Sequence, residues 1–87
     1  MQTHFKGLHL VEIYNPENDG HKKFKCCGNQ VKTHIGNVVW HKRFCQYVFV
    51  PKNVAQFTYG SLQDVASFLC RLNHLNLQEK REAKTAP

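Results

Sequence analysis

Over its first fifty residues the chain tends to alternate apolar and polar positions; after Gly60 the apolar positions recur at intervals of three and four. The first regime predicts strands and the second a helix. Leu8 to Tyr14 (LHLVEIY) predicts a first strand, with His9, Val11 and Ile13 on one face. Asn15 to Gly20 (NPENDG) is a turn, because Pro, Asn, Asp and Gly each favour turn backbone for a separate reason. His21 to Cys27 predicts a second strand in which Lys23, Lys25 and Cys27 alternate against Phe24 and Cys26. Gly28-Asn29 ends it, and Met1 to Gly7 reads as a loosely held start.

The central stretch IGNVVWHKRFCQYVFVP, Ile35 to Pro51, carries most of the large strand-forming residues. Residues 31–40 predict a third strand and 44–50 a fourth, joined by a turn at His41, Lys42 and Arg43. That turn lacks the Asn-Gly signal of a two-residue loop, so its type stays open. In the fourth strand Phe44, Gln46, Val48 and Val50 share one face, and Cys45, Tyr47 and Phe49 the other. Both faces are largely apolar, which predicts an inner strand or a face that meets a partner. Pro51 cannot donate to a ladder and ends the strand. Ala55 to Tyr59 offers a short fifth strand.

Ser61 suits a helix N-cap, with Asp64 three residues on. Leu62, Val65, Ala66, Leu69 and Leu72 then form one apolar face, extended by Phe68. Asn73 and Asn76 are stop signals. The remaining QEKREAKTAP is charged and carries no apolar stripe, which predicts a frayed tail. Residues 1–76 are therefore expected to form one domain and 77–87 a tail.

Charge changes this picture more than composition does. Hydrophobic content of 41% supports a modest core, and the formal net charge is +6. From Gly20 to Ser61 there is no Asp or Glu, while Lys22, Lys23, Lys25, Lys32, Lys42, Arg43 and Lys52 all fall there, with His21, His34 and His41. A sheet built from this span carries a positive field with little internal compensation. Its apolar runs are too short to cross a membrane and the N-terminus lacks a signal-peptide core, so a cytoplasmic location is expected. In that compartment the four cysteines are expected as free thiols.

Catalytic and metal constellations are weak. Six His and four Cys invite a zinc site, but no Cys-x-x-Cys or His-x-x-x-His pair occurs, so no metal and no cofactor are expected. Cys45 lies near His41 and cations that favour a thiolate, yet no nucleophile motif or oxyanion turn surrounds it. No Gly-rich phosphate loop is present. The chain is therefore expected not to be an enzyme. Two binding readings remain. Lysines interleave with aromatics at Lys23-Phe24-Lys25 and around Trp40 to Phe44, as nucleic-acid binders require, although the same pattern arises when lysines solvate one face and aromatics fill the core. Alternatively, one helix covers one sheet face and a protein partner or a second copy covers the other.

From Ile35 to Asn73, under half of the chain, the order of motifs resembles small proteins encoded by bacteriophages, prophages and other mobile elements of bacteria. In those a Trp-bearing strand, an Arg-Gln-Tyr-x-Phe-x-Pro strand and a Leu-x-Asp-Ile-Ala-x-Phe-Leu helix follow one another. Trp40, Gln46, Tyr47, Phe49, Pro51, Leu62, Asp64, Ala66, Phe68 and Leu69 carry the resemblance, and Cys45 stands where that pattern has an Arg. The resemblance implies the hairpin-then-helix order and a phage or bacterial source, and no catalytic residue.

The expectation is thus an α+β domain: an antiparallel sheet of four to five strands with one C-terminal helix packed on one face. It is expected to act as a non-enzymatic accessory binding protein, by protein contact or self-association, or alternatively on nucleic acid. The expected contact surface is Lys22, Lys23, Lys25, Lys32, Lys42 and Arg43, with His41 as a pH-sensitive member.

Overall fold

A computed structural model describes residues 1–14, 20–29, 33–52 and 56–85, with side chains as far as Gln78. The elements are β1 (Leu8–Ile13), β2 (Lys23–Gly28), β3 (His34–His41), β4 (Gln46–Pro51) and α1 (Tyr59–Thr85). The strands form one antiparallel meander in the order β1-β2-β3-β4. Gly20, at φ 83°, leads into β2 through the left-handed region that glycine enters without steric cost. The expected fifth strand does not form: residues 56–58 have no strand pairing and Tyr59 already belongs to α1, while Ala55 lies outside the described residues.

Strand alternation sorts the sheet into two faces. Leu10 pairs with Cys26, Cys26 with Gly36, Phe24 with Val38, Val38 with Phe49, and Trp40 with Tyr47. Residues directly opposite one another share a face, so all of these point the same way. Leu8, Leu10, Phe24, Cys26, Val38 and Tyr47 are buried there in one cluster with Val65, Phe68 and Leu72 of α1. Phe68 meets Phe24 edge to face, with ring centroids 5.0 Å apart. Each large side chain so buried stabilises the fold by roughly 1.5–3 kcal/mol before conformational entropy is charged.

One irregularity re-aims a side chain. Cys26 pairs with Gly36 but Cys27 pairs with His34, which leaves Ile35 without a partner on β2. The extra residue breaks the alternation, and Ile35 packs against the core although its neighbours Asn37 and Val39 lie on the opposite face.

The helix differs from its expected form in three ways. Its cap is Thr58, not Ser61: the Ser61 N–H donates to Thr58 Oγ1 at 3.1 Å, and the chain enters the helix at Tyr59. It does not stop at Asn73 or Asn76 but continues to Thr85, so the expected boundary between residues 76 and 77 falls inside it. Leu62, expected in the apolar face, is 53% exposed. The buried stripe is Val65, Phe68 and Leu72, and Phe68, expected only to extend that face, is its most buried member. A helix of 27 residues spans about 40 Å against about 20 Å for a six-residue strand, so α1 overhangs the sheet.

The start of the chain is not loose. The Leu10 N–H donates to the Thr3 carbonyl and the Phe5 N–H to the Leu8 carbonyl, both at 2.8 Å. Asn29 clamps the same segment: its Nδ2 donates to the Phe5 and Lys6 carbonyls at 2.7 and 3.2 Å, and its backbone N–H donates to Gly7. These contacts cover part of the outer edge of β1, which would otherwise offer unpaired backbone groups.

Candidate interaction face

The face of the sheet turned away from α1 carries the features most suited to a contact. Val11, Lys25, Asn37 and Val50 form one row across all four strands. Ile13 pairs with Lys23, and Val39 with Val48, in the next. Lys23 and Lys25 on β2 thus have Ile13 and Val11 beside them on β1, while Asn37 stands opposite Lys25 on β3 and Val39, Val48 and Val50 lie beyond. Val11 and Val50 are each about half exposed, and no described element lies over them.

Lys23 and Lys25 project from this face, and the register places His41 on it as well. Lys42 and Arg43 are exposed in the turn that follows His41. Lys22 departs from the group. It falls on the α1 side of the sheet, where its ammonium lies 4.0 Å from Glu12; both side chains are more than half exposed, so the pair contributes little. Lys32 lies outside the described residues. Glu12 belongs to the α1 side and Asp64 to α1 itself, so no described carboxylate shares the open face. Among the described residues, Lys23 and Lys25 form no ion pair.

The aromatic side chains are arranged otherwise than a nucleic-acid platform needs. Phe24, Trp40, Tyr47 and Phe49, the strand aromatics, all point to the α1 side. Trp40 stacks on His21 at 4.0 Å and meets Tyr47 edge on at 5.3 Å. Tyr47 Oη accepts the Lys22 N–H at 3.0 Å, which ties the entry of β2 to this cluster.

The β3–β4 turn is longer than expected and takes in Phe44 and Cys45, both placed in the fourth strand by the alternation pattern. Phe44 is 60% exposed and stacks on His41 at 4.2 Å; its N–H donates to His41 Nδ1 at 3.1 Å. That bond requires His41 Nδ1 to be unprotonated. Cys45 closes the turn at φ 53°, with its thiol donating to the Lys42 carbonyl at 3.3 Å.

At the other end of the open face, register brings His9, Cys27 and His34 into line, and His4 stacks on His9 at 5.8 Å. The rings are already engaged: His9 Nδ1 lies 2.6 Å from Asn29 Oδ1, and His34 Nε2 lies 2.8 Å from the Gly36 carbonyl and from Asn37 Oδ1. Among the described residues no three His, Cys, Asp or Glu converge as metal ligands. All four cysteines are free thiols. Burial, aided by the neighbouring Cys27, pushes the Cys26 thiol up to about 11, which removes it as a nucleophile at neutral pH. Among the described residues no helix is long and apolar enough to cross a membrane.

The cations of this face were legible in the sequence; its aliphatic members were legible only as a two-sided apolar pattern in β4. Which side of the sheet α1 would take was not written locally. Comparison of the chain with protein-family models, with curated proteins and with solved structures found no match.

Proposed function

We propose that the chain is a non-enzymatic accessory protein of a phage or other mobile element, acting by contact with another protein through the sheet face opposite α1. One observation carries this reading: Val11, Ile13, Val39, Val48 and Val50 share a face that no described element covers, in a domain too small to spare aliphatic surface. The order of motifs from Ile35 to Asn73 supports the source. A photoreactive residue placed at Val39, in cells that make the protein, tests the contact. Adducts that form there, vanish with Val48→Glu and do not form from Ser67 on the exposed side of α1 are the expected result. Equal labelling from both positions removes the reading.

Nucleic acid is the second reading, favoured by Lys23 and Lys25 on this face and by Lys42 and Arg43 exposed in the turn that follows His41. It predicts a mobility shift at low salt that fades steeply as salt rises. The inward turn of the strand aromatics deprives it of stacking platforms.

A further inference from the structure

We infer that the occupant of the open sheet face is an acidic protein partner that presents carboxylates flanked by aliphatic side chains, rather than a second copy of this chain or a nucleic acid. This rests on the reading above and names the partner's chemistry. Lys23 and Lys25 stand two residues apart on β2, so their side chains leave the same face about 7 Å apart along the strand. Val11 and Ile13 flank them on β1; on the other side Asn37 stands opposite Lys25, with Val39 on β3 and Val48 and Val50 on β4 beyond it. The surface is therefore a cationic column between two aliphatic margins, with no described acid on it.

A second copy fits this surface poorly. A twofold axis that meets the face at β2 brings one lysine column against the other, and opposed like charges in a desolvated contact are strongly disfavoured. The net charge of +6 acts in the same sense at longer range. Nucleic acid complements the lysines but leaves the aliphatic margins against phosphate and sugar. A chain with carboxylates between aliphatic residues satisfies both. The face itself covers only about 400 Å², four strands wide and six residues long, against the roughly 800 Å² per partner of a standard interface, so the contact belongs to the small, salt-sensitive class.

A randomised peptide library displayed on yeast, sorted against the fluorescently labelled whole chain, tests this without presupposing a sequence. Selected peptides are expected to be enriched in Asp and Glu interspersed with Val, Ile and Leu. They are expected to lose about tenfold or more in affinity for Lys23→Glu/Lys25→Glu, and less for the milder Lys23→Gln/Lys25→Gln, while Arg71→Glu on the exposed side of α1 leaves binding unchanged. Near-ultraviolet circular dichroism of Trp40 establishes that each variant keeps its fold, and the glutamine pair stands in if the glutamate pair does not. Peptides without acidic enrichment that are still lost with Val39→Glu overturn the acidic assignment and leave the face as a contact surface. An absence of selected peptides, or binding indifferent to all of these substitutions, overturns both. Two further results overturn the assignment: a dimer by sedimentation that Val39→Glu dissociates, and an oligonucleotide of arbitrary sequence that binds more tightly than the peptides with the same lysine dependence.

Discussion

Asn73 of α1 reads the backbone of Tyr47 in β4: its Oδ1 accepts the Tyr47 N–H at 2.6 Å, and its Nδ2 donates to the Tyr47 carbonyl at 3.2 Å. In the β3–β4 ladder Tyr47 sits in a non-hydrogen-bonded pair with Trp40, so both of its backbone groups point outward from the sheet. A side-chain amide takes the place of a fifth strand there and locks α1 to the sheet edge. Asn73→Ala leaves two half-buried backbone groups without these partners and is expected to cost about 1–3 kcal/mol, measured by urea denaturation. Asn73→Asp retains the acceptor but sets a carboxylate oxygen against the Tyr47 carbonyl, so it is expected to rescue little. Wild-type stability in both variants would show that the edge is satisfied by water instead.

Gly36 is held as glycine by contact, not by backbone angle. A Cβ at that position would lie 2.5 Å from the Phe49 ring and 2.7 Å from the Val50 carbonyl oxygen. Phe49 in turn meets Phe57 edge on, with centroids 5.5 Å apart. Gly36→Ala is expected to destabilise by about 1–3 kcal/mol through overpacking. Combined with Phe49→Leu, which withdraws the ring, the two losses are expected to fall short of their sum. Additive losses in this double-mutant cycle would disprove the contact.

The rotation of α1 on the sheet is tested by two substitutions on one helix. Phe68 is 1% exposed and Leu62 53% exposed. Phe68→Ala is expected to cost about 3–5 kcal/mol and Leu62→Ala less than about 0.5 kcal/mol beyond any change in helix propensity. Comparable losses at the two positions would mean that the buried stripe runs through Leu62 after all.

The cysteines are expected to separate by exposure. Cys45 and Cys70 react first with a water-soluble disulfide reagent, Cys27 more slowly, and Cys26 only as the chain unfolds. The pH dependence follows from the raised Cys26 thiol. In the unfolded chain it ionises near its ordinary 9.0, whereas in the fold it holds its proton to about 11. Between those values the folded state binds the extra proton, so unfolding free energy falls as pH rises; below pH 9 this contribution is complete. Denaturation curves between pH 8 and pH 11 should show a steeper loss in the wild type than in Cys26→Ala. Parallel losses would mean that the thiol is hydrated.

What the sequence determined by itself is the set of local regularities. Lys23 and Lys25 against Phe24 and Cys26, the hairpin followed by an amphipathic segment, and the acid-free span from Gly20 to Ser61 all depend on spacing along one strand or one helix, where backbone geometry dictates side-chain direction within a few residues. What only the tertiary structure decided involves partners far apart in the chain. Asn73 reaches Tyr47 across 26 positions, and Asn29 reaches Phe5 across 24; neither pairing leaves a trace in periodicity. The same holds for Leu62 turning outward and for α1 running on past Asn76. An apolar arc wider than the groove it fills can dock at more than one angle. Burial of Val65, Phe68 and Leu72 against Phe24 and Val38 selected this one, and by doing so left the lysine-bearing face of the sheet open.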